Sequence, residues 1–475
     1  MLLVEAGPDL PDASAMPEPL SVGSVSEDDG YFWNLRATLV PGRDAAVARG
    51  RVVGGSSQVN DRGALRPPRE DFADWARPGL PEWSFEPVLE SFCRLETDAQ
   101  FGDRDYHGAD GPVPITRWSR DDLLPSMAGF LAATEAAGHE FQEDMNAPGA
   151  VGIGMYPQNR RDRLRMSTTL THLAAARTRP NFTLRADAPV ARVRFDGTRA
   201  IGVVIDGEPV DAGEVILSAG APYSPALLLR SGIGPAADLR ALGIDSVVDL
   251  PGVGADLIDQ PGAIMFGVPP EGARTADWPR TQLIARLRGM PGHPDDQGFY
   301  LNLFSGMSTG PMAKMIGAPI VNAIMLGDLA PRSRGRITLA DPNPATEPLV
   351  DLGFFSADGD LDRLRSAYRH TWEIVNQSAF ASTVDRFALV DENSIDDDEK
   401  LGDQLRARSY SRLNLVGGAR MGVDAGAVVD AHCRVRGVAN LRVVDASVVP
   451  IAVRAPAALT CLMIGEHAAG LILAE

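Results

Sequence analysis

The 475-residue chain is poor in cysteine and has no long apolar run. Its three cysteines, Cys93, Cys433 and Cys461, lie far apart and without CxxC spacing, which argues against a disulfide framework and against a zinc site. No apolar run reaches the roughly 18 residues of a membrane span, and the first residues do not resemble a signal peptide. We therefore predict a cytoplasmic protein without a metal centre.

Positive charge is also scarce. The chain has 45 basic and 63 acidic residues, which gives a net charge of −18. Such a surface repels phosphate backbones and anionic membranes, so we expect no nucleic-acid partner. The remaining composition, with 44% hydrophobic and 23% charged residues, is typical of a globular protein. The length predicts two domains, which need not be continuous in sequence.

The middle of the chain predicts a small antiparallel sheet. Apolar residues alternate between Asn181 and Pro222, and the pattern is broken at Asp196-Gly197 and at Asp206-Gly207, a dipeptide typical of hairpin turns. The stretch ends in EVILSAG, a continuous apolar run that predicts a buried strand. A helix should follow it, and the last residues, LTCLMIGEHAAGLILAE, predict a closing amphipathic helix.

The chain starts with MLLVEAGPD, which has the pattern of a parallel strand ending in the acidic residue Glu5. In dinucleotide-binding folds an acidic residue at this place binds a ribose, and it follows a Gly-rich phosphate loop by about 20 residues. No such loop precedes Glu5 in this sequence. Either the similarity is accidental, or the chain lacks a piece that its fold normally has.

The strongest motif is RGRVVGGSSQVNDRGALRPPREDFADW, from Arg49 to Trp75. Glycines in such a loop let backbone amides approach a ligand closely, although GGSS alone also fits a plain tight turn. With the following Asn60 and the DFADW tail, the segment resembles the first signature of the glucose-methanol-choline (GMC) flavoprotein family. Further segments resemble later landmarks of the family in the same order: GAPYSPALLLRSGIGP, DLPGVGADLIDQP, PRSRGRITLADPNP and VVDAHCRVRGVANLRVVDASVVP.

The resemblance implies an α/β protein with two domains. The first is a discontinuous, Rossmann-like FAD-binding domain, and the second is a substrate domain built on an antiparallel sheet. We place the FAD-binding domain, which is N-terminally incomplete, at residues 1–67, 180–265 and 415–475. The substrate-binding domain then comprises residues 68–179 and 266–414.

The resemblance also implies a set of FAD contacts. Glu5 would accept the adenosine ribose hydroxyls, and the backbone of Val190 would meet the adenine. Asp445 and Ala446 would approach the ribityl and phosphate region. The other residues, along the pyrophosphate and the approach to the isoalloxazine ring, are Arg51, Gly54, Gly55, Ser57, Asn60 and, in the second signature, Gly220.

The family carries a strand, a GxGxxG loop and a helix in front of the strand that ends in Glu5. The sequence begins inside the second strand, which indicates a start site chosen too late or a fragment, or else a natural shortened paralogue. Because the missing loop supplies backbone N–H groups and a helix N-terminus to the pyrophosphate, we expect FAD to be weakly bound or absent.

The catalytic positions depart from the family. GMC enzymes use a histidine just before a Gly-Thr-Cys-Arg-Met-Gly-like stretch, and a histidine or asparagine in the last loop. Alignment on LNLVGGARMG puts Asn414 at the first position, and the loop after DASVVP puts Ala458 at the second. Arg454 falls in the loop that borders the flavin, where a guanidinium fits a carboxylate or a reduced flavin. Tyr410 and Asn414 remain as hydrogen-bonding partners for a substrate oxygen.

These features predict a GMC-type FAD-dependent oxidoreductase that transfers hydride from a CH–OH donor to flavin. Its partners would be a small alcohol and an electron acceptor that the sequence does not identify. The alternative is a non-redox or catalytically altered paralogue, such as a lyase, a cyclase or an inactive protein, because Asn414 and Ala458 replace the catalytic pair. A nicotinamide-dependent dehydrogenase is disfavoured by the GGSS and Ser-Pro motifs.

Overall fold

A computed structural model of the chain describes residues 1–23, 29–77, 79–274, 279–288 and 298–475. The strands in these ranges are β1 (Leu2–Val4), β2 (Arg36–Val40), β3 (Arg43–Ala46), β4 (Glu96–Asp98), β5 (Val113–Ile115), β6 (Phe141–Gln142), β7 (Gly152–Met155), β8 (Arg160–Arg161), β9 (Leu164–Arg165), β10 (Thr183–Arg185), β11 (Val190–Asp196), β12 (Arg199–Ile205), β13 (Glu208–Asp211), β14 (Val215–Leu217), β15 (Ile233–Gly234), β16 (Val248–Asp249), β17 (Pro261–Val268), β18 (Leu283–Leu287), β19 (Phe299–Ser308), β20 (Ile320–Asp328), β21 (Arg336–Thr338), β22 (Leu349–Asp351), β23 (Arg386–Ala388), β24 (Tyr410–Ser411) and β25 (Leu441–Val443).

The helices in the same ranges are α1 (Glu18–Ser21), α2 (Arg69–Ala76), α3 (Phe85–Leu95), α4 (Pro125–Ala136), α5 (His172–Ala176), α6 (Tyr223–Arg230), α7 (Ala236–Ala241), α8 (Ala313–Ile316), α9 (Asp360–Val375), α10 (Ser378–Ala381), α11 (Glu392–Ile395), α12 (Asp398–Arg408) and α13 (Ala457–Leu473). Within the part of the chain that the structure describes, no helix is both long enough and apolar enough to cross a bilayer.

The antiparallel meander expected in the middle of the chain is present as β11, β12 and β13. The turn between β12 and β13 consists of Asp206 and Gly207, whose φ angles are 54° and 83°. Two positive φ angles are the requirement of a type I′ hairpin, which explains why an Asp-Gly pair marks this turn in the sequence. The EVILSAG run forms β14, and α6 follows it.

Two short parallel pairs form the Rossmann-like part. Strand β1 pairs with β10, and β14 pairs with β25. Each pair contains three matched positions per strand. Parallel pairing is what the continuous apolar runs of β1 and β14 favour. The loops that follow β1, β14 and β25 carry Glu5, Gly220 and Asp445, so the predicted cofactor residues lie at the carboxyl ends of parallel strands.

The largest sheet has eight strands in the order β23-β17-β20-β19-β18-β7-β6, with β24 added to one end of β17. Helices α4 and α9 pack on one face, over a core that includes Leu301, Leu326 and Ala285. On the other face, Ile284 and Tyr300 meet Leu65, Ala455 and their neighbours. This second face is therefore directed toward the segments that carry the flavin motifs.

The expected fold class, α/β with an antiparallel sheet in addition to the flavin-binding part, is confirmed by this architecture. The larger hydrophobic core joins parallel-strand residues such as Val215 and Leu441 to Phe72 and Trp75 of α2 and to Ile337 of β21. The core thus draws on segments from both sides of the proposed boundaries. The division at residues 67, 179, 265 and 414 stays a prediction.

Candidate active site

Glu5 is held at the end of β1 by its own backbone. Its N–H donates to the carbonyl of Arg185 at 3.0 Å, and its carbonyl accepts from Ala188 at 2.9 Å. The Oε1 atom accepts the N–H of Gly7 at 2.8 Å. Burial raises the pKa of this carboxyl, while the backbone N–H of Gly7 and the charge of Arg51 act against that shift. Glu5 is a fixed, partly buried hydrogen-bond acceptor, as a ribose-binding residue must be.

The Gly-Gly-Ser-Ser loop packs directly against the end of β1. The N–H of Val53 donates to the carbonyl of Pro8 at 3.0 Å, and a Cβ on Gly7 would lie 2.1 Å from the carbonyl oxygen of Arg51. Gly54 has φ 96° and precedes a short 3₁₀ turn. Ser57 stabilises that turn, because its hydroxyl donates to the Gly54 carbonyl at 2.6 Å. Residues outside the loop also hold it, since the N–H of Thr168 donates to the Ser57 hydroxyl at 3.0 Å and the Thr169 hydroxyl donates to the Val53 carbonyl at 2.7 Å.

Asp445 organises the second half of the site. Its Oδ2 accepts from the N–H of Gly220 at 2.8 Å and from the hydroxyl of Ser224 at 2.5 Å, and its Oδ1 accepts from the N–H of Ser447 at 2.7 Å. The acid thus ties the loop after β14 to the loop after β25. Arg49 connects this half to the GGSS segment, since its Nε donates to the carbonyl of Ala221 at 3.2 Å.

The remaining sequence-predicted cofactor residues occupy ordinary places in these elements. Val190 begins β11 opposite Ile205 and is half-buried. Ala446 follows Asp445 and is buried. Asn60 turns its side chain back to the loop, where its Oδ1 accepts the N–H of Arg62 at 3.0 Å. Their roles toward a cofactor stay predictions.

The site fits an FAD molecule in two respects. Gly55 and Gly220 both have positive φ and open space where a Cβ would stand, so their backbone faces remain accessible. Glu5 offers a partly buried carboxylate close to Arg51 of the Gly-Gly-Ser-Ser segment. Open glycine backbone for phosphates and an acid for the ribose are the donor and acceptor set of a dinucleotide.

Asn414 is hydrogen-bonded on both sides of its amide. The Nδ2 donates to Oε1 of Gln260 at 2.8 Å, and the Oδ1 accepts the N–H of Ala457 at 3.1 Å. Gln260 in turn donates from Nε2 to the carbonyl of Val453 at 2.8 Å. We call Asn414 and Gln260 the amide pair. It joins the catalytic segment to the first turn of α13, and a neutral amide in this place accepts no proton near neutral pH.

The second catalytic position, Ala458, lies half-buried in the first turn of α13 beside Ala457. It contributes no polar side-chain atom. Ala457, the residue before it, donates its N–H to Asn414, so both positions lie at the N-terminus of α13.

Arg454 is paired with two acids of α2. Its Nη1 lies 2.8 Å from Oδ1 of Asp71 and its Nη2 lies 3.5 Å from Oδ2 of Asp74. Its N–H also donates to Asp71 at 2.7 Å. These contacts anchor the loop before α13, and the role of Arg454 toward a carboxylate or the flavin stays a prediction.

Another arginine, Arg412, lies in the same segment as Tyr410 and Asn414, and sequence reasoning missed it. The Nη1 of Arg412 donates to the hydroxyl of Tyr410 at 3.1 Å, and its guanidinium carbon lies 4.3 Å from the ring centroid of Tyr300. Burial raises the pKa of the Tyr410 phenol, which keeps its hydroxyl protonated near neutral pH. The signal available in sequence was the position of Arg412, two residues before Asn414.

Two histidines near the C-terminus serve structural contacts. His467 on α13 pairs its Nδ1 with the hydroxyl of Ser91 at 2.9 Å, and its ring packs on Trp83. Burial lowers the pKa of this imidazole. His432 lies 2.9 Å from the carboxylate of Glu475. Neither contact involves the Asn414 segment.

A second polar cluster includes Arg66, which lies within the Arg49 to Trp75 motif. His107 contacts Oε1 of Glu96 at 2.6 Å and Oδ2 of Asp144 at 2.8 Å. Arg66 lies 2.5 Å from Glu96, and Arg117 lies 2.7 Å from Asp98 and 2.9 Å from Asp144. These six side chains are all buried. We call them the buried ion network, in which each arginine is paired with a carboxylate.

An open glycine loop, a partly buried acid at the end of a parallel strand and an antiparallel sheet fit a flavin-dependent oxidoreductase. Two family models, both described as GMC oxidoreductase, match residues 27–262 and 331–465. The chain belongs to the GMC oxidoreductase family. It is 33% identical to an uncharacterised GMC-type oxidoreductase of Rhodococcus erythropolis, over 100% of this chain and 93% of the relative.

Other relatives have named activities. Mouse mitochondrial choline dehydrogenase is 33% identical, over 99% of this chain and 85% of its own. Among solved structures, pyridoxine 4-oxidase from Mesorbium loti superposes with a TM-score of 0.88 at 26% identity, over 100% of this chain and 94% of that chain. These relatives support the GMC assignment and an enzyme that acts on alcohol-type substrates.

Proposed function

We propose that this GMC enzyme oxidises the CH–OH group of a small molecule in the space between Asn414 and the second face of the eight-stranded sheet. The observation that carries the proposal is the amide pair, which fixes the catalytic segment against α13. When bound, FAD supplies an acceptor for the hydride of the carbinol carbon. Glu5, Gly55, Gly220 and the loop braced by Asp445 are the residues that would hold it.

The proton of the alcohol needs a separate acceptor. The carbinol carbon loses a hydride, with two electrons, and the hydroxyl oxygen loses a proton, which leaves a carbonyl product. Asn414 orients an oxygen through its amide but does not take this proton, and Ala458 offers no group. Since a positioned base contributes roughly 10²–10⁴ in rate, we expect slow oxidation of simple alcohols with proton loss to solvent.

The affinity for FAD is the second part of the proposal. The two parallel pairs supply the ribose and ring-side contacts, whereas the pyrophosphate is normally held by a glycine-rich loop and a helix N-terminus. That FAD is weakly bound or absent stays a prediction from sequence. The electron acceptor is unassigned, and the cytoplasmic location stays a prediction from sequence.

The alternative function is a binding or non-redox reaction in the same pocket. The replacement of the catalytic pair by Asn414 and Ala458 favours it, because a lyase or an inactive paralogue needs no base at this position. The two functions differ in one observable: only the oxidoreductase reduces its flavin when an alcohol is added.

The test is stopped-flow reduction of FAD-loaded protein by a panel of alcohols. We expect slow reduction by the unmodified protein and faster reduction by the pair Asn414→His with Ala458→Asn, because the histidine needs a partner that fixes its orientation. Asn376→His, at the exposed end of α9, is the matched control and should change nothing. Fast reduction by the unmodified protein would overturn the missing-base proposal.

A further inference from the structure

We propose that Arg412 anchors the substrate and that the alcohol oxidised by this enzyme carries a carboxylate. The inference rests on the proposed function, because it names the substrate class of the same site. Arg412 lies in the segment that leads into the catalytic position, between β24 and Asn414. Strand β24 fixes this segment on the sheet, with Tyr410 opposite Gly262 of β17.

A pair of glycines makes the space for the Arg412 side chain. Gly262 of β17 lies opposite Gly327 of β20. A Cβ on Gly327 would lie 2.8 Å from Cδ of Arg412, and a Cβ on Gly262 would lie 3.0 Å from the same atom. At Gly262 the nearest atoms belong to the ring of Tyr410, at 2.7 Å, so a larger residue would meet Tyr410 there and Arg412 at Gly327. The two glycines thus leave room on the second face for the side chains of Tyr410 and Arg412.

The partners of Arg412 are neutral. Its Nη1 donates to Tyr410 at 3.1 Å, and its contacts to Oδ1 of Asn302 are long, at 3.5 and 3.4 Å. The face of the guanidinium is covered by Tyr300. Among the described residues, no carboxylate forms an ion pair with Arg412. Arg454, by contrast, has both Asp71 and Asp74.

A guanidinium with neutral partners has unused capacity for an anion. It carries five N–H donors in a planar fork that matches a carboxylate, and it remains charged in proteins. A cation that is partly removed from water and lacks an opposite charge is unfavourable, and an anionic ligand relieves that penalty. The ligand group that fits Arg412 best is therefore a carboxylate.

The surface beside Arg412 fits a carbon chain. On β17 and β20, Ile264 lies opposite Met325, two residues along from the glycine pair. Alternation along the strands places these two side chains on the same face as Gly262 and Gly327. Both are only partly buried, in a sheet whose other face is covered by helices. An aliphatic hydroxy acid would place its carboxylate on Arg412, its chain on this apolar floor and its carbinol near Asn414.

The same geometry argues against a cationic substrate. Choline carries a quaternary ammonium, which Arg412 would repel at short range. Asp61 is the exposed acid whose charge raises the pKa of Tyr300 and Tyr410 nearby, and it is not paired with Arg412. A preference for choline would therefore require Asp61, rather than Arg412, to determine the charge of the ligand.

The test compares ligands that differ only in the carboxylate. FAD-loaded protein is offered glycolate, hydroxybutyrate and hydroxycaproate beside ethylene glycol, butanediol, hexanediol and choline, and KM and kcat are measured by flavin reduction. Binding of the unreactive acids acetate, butyrate and caproate is measured by calorimetry. We expect the hydroxy acids to be preferred over their diols, and Arg412→Gln to weaken acid binding about 10–100-fold.

The variants separate charge from structure. Arg412→Lys keeps the charge without the fork and should lose part of the affinity, whereas Arg434→Gln, on the exposed Asp430 side, should lose none. Equal use of acids and diols by the unmodified protein would overturn the inference even if Arg412→Gln failed to fold, as would a preference for choline. If the acids bind through Arg412 but no alcohol reduces the flavin, the anion site stands and the proposed redox function fails.

Discussion

The parallel pairs and the eight-stranded sheet differ in the number of strands and in how completely those strands are buried. Each parallel pair is two strands wide, and the exposed fractions of Leu2 in β1 and Ile216 in β14 are 43% and 45%. In the eight-stranded sheet, every residue of β18 is buried. A strand in the first region has one neighbour, while an inner strand of the second has two.

The difference shows where each region obtains its stability. The eight-stranded sheet is held by a continuous ladder with helices on one face, so its geometry is determined by its own residues. The parallel pairs depend on loop contacts, such as those of Asp445 and Gly7, between short strands. We therefore expect the eight-stranded sheet to tolerate loss of the cofactor and the parallel pairs to be stabilised by it.

The largest effect should come from removing a buried side chain of the eight-stranded sheet. Leu301 lies on β19, faces the helix-covered core and is fully buried. Leu301→Ala should lower the free energy of unfolding by about 2–5 kcal/mol, through lost burial and the cavity left behind. Urea denaturation followed by circular dichroism would measure it. A loss below about 1 kcal/mol would show that this sheet is less tightly packed than described.

The next effect concerns the affinity for FAD on the parallel side. We expect Gly220→Val to weaken FAD binding at least about tenfold, or 1.4 kcal/mol. The physical reason is that Gly220 has a φ of 79° and open space where a Cβ would stand, so a branched side chain would strain this loop and cover its accessible backbone. Visible flavin absorbance after gel filtration would measure occupancy. Unchanged occupancy in the variant would contradict this prediction.

A pH-dependent effect should come from the buried ion network, which connects β4 to the segment before β7. Burial by itself would lower the pKa of His107, but its hydrogen bonds with Asp144 and Glu96 raise it above the ordinary value. The protonated imidazole therefore contributes stability that is complete below the unfolded pKa of about 6.5. That contribution is lost as pH rises through the higher folded pKa.

The measurement is the difference in melting temperature between the unmodified protein and His107→Gln across pH. We expect the difference to be largest in mild acid and to shrink toward alkaline pH. His432→Gln, on the surface beside Glu475, is the control. A difference that grew with pH would mean that His107 is neutral in the folded protein.

The smallest effect should come from β14. Ile216→Thr keeps a β-branched residue in the strand and removes apolar surface that is largely exposed. We expect a change within about 0.5 kcal/mol in the free energy of unfolding. The same urea titration as for Leu301→Ala gives a direct comparison. A loss above about 1 kcal/mol would show that this side chain is covered in solution.

Local signals in the sequence predicted the elements of the fold well. The type I′ turn is determined by two adjacent residues, Asp206 and Gly207, and the motif at Gly54 is determined by residues within one loop. The contacts of Arg412 could not be predicted in this way, because they depend on the register of β17, β19 and β20, which lie far from Arg412 in sequence. The pairing of Arg454 with Asp71 was hidden for the same reason, since 383 positions separate them.

The amide pair has an evolutionary consequence. Asn414 has a structural role in this chain, because its amide connects Gln260 to the first N–H of α13. An imidazole at this position would leave the Gln260 oxygen and the helix N–H in need of new partners. The effect of a histidine at this position is therefore epistatic, because its benefit depends on compensating changes elsewhere.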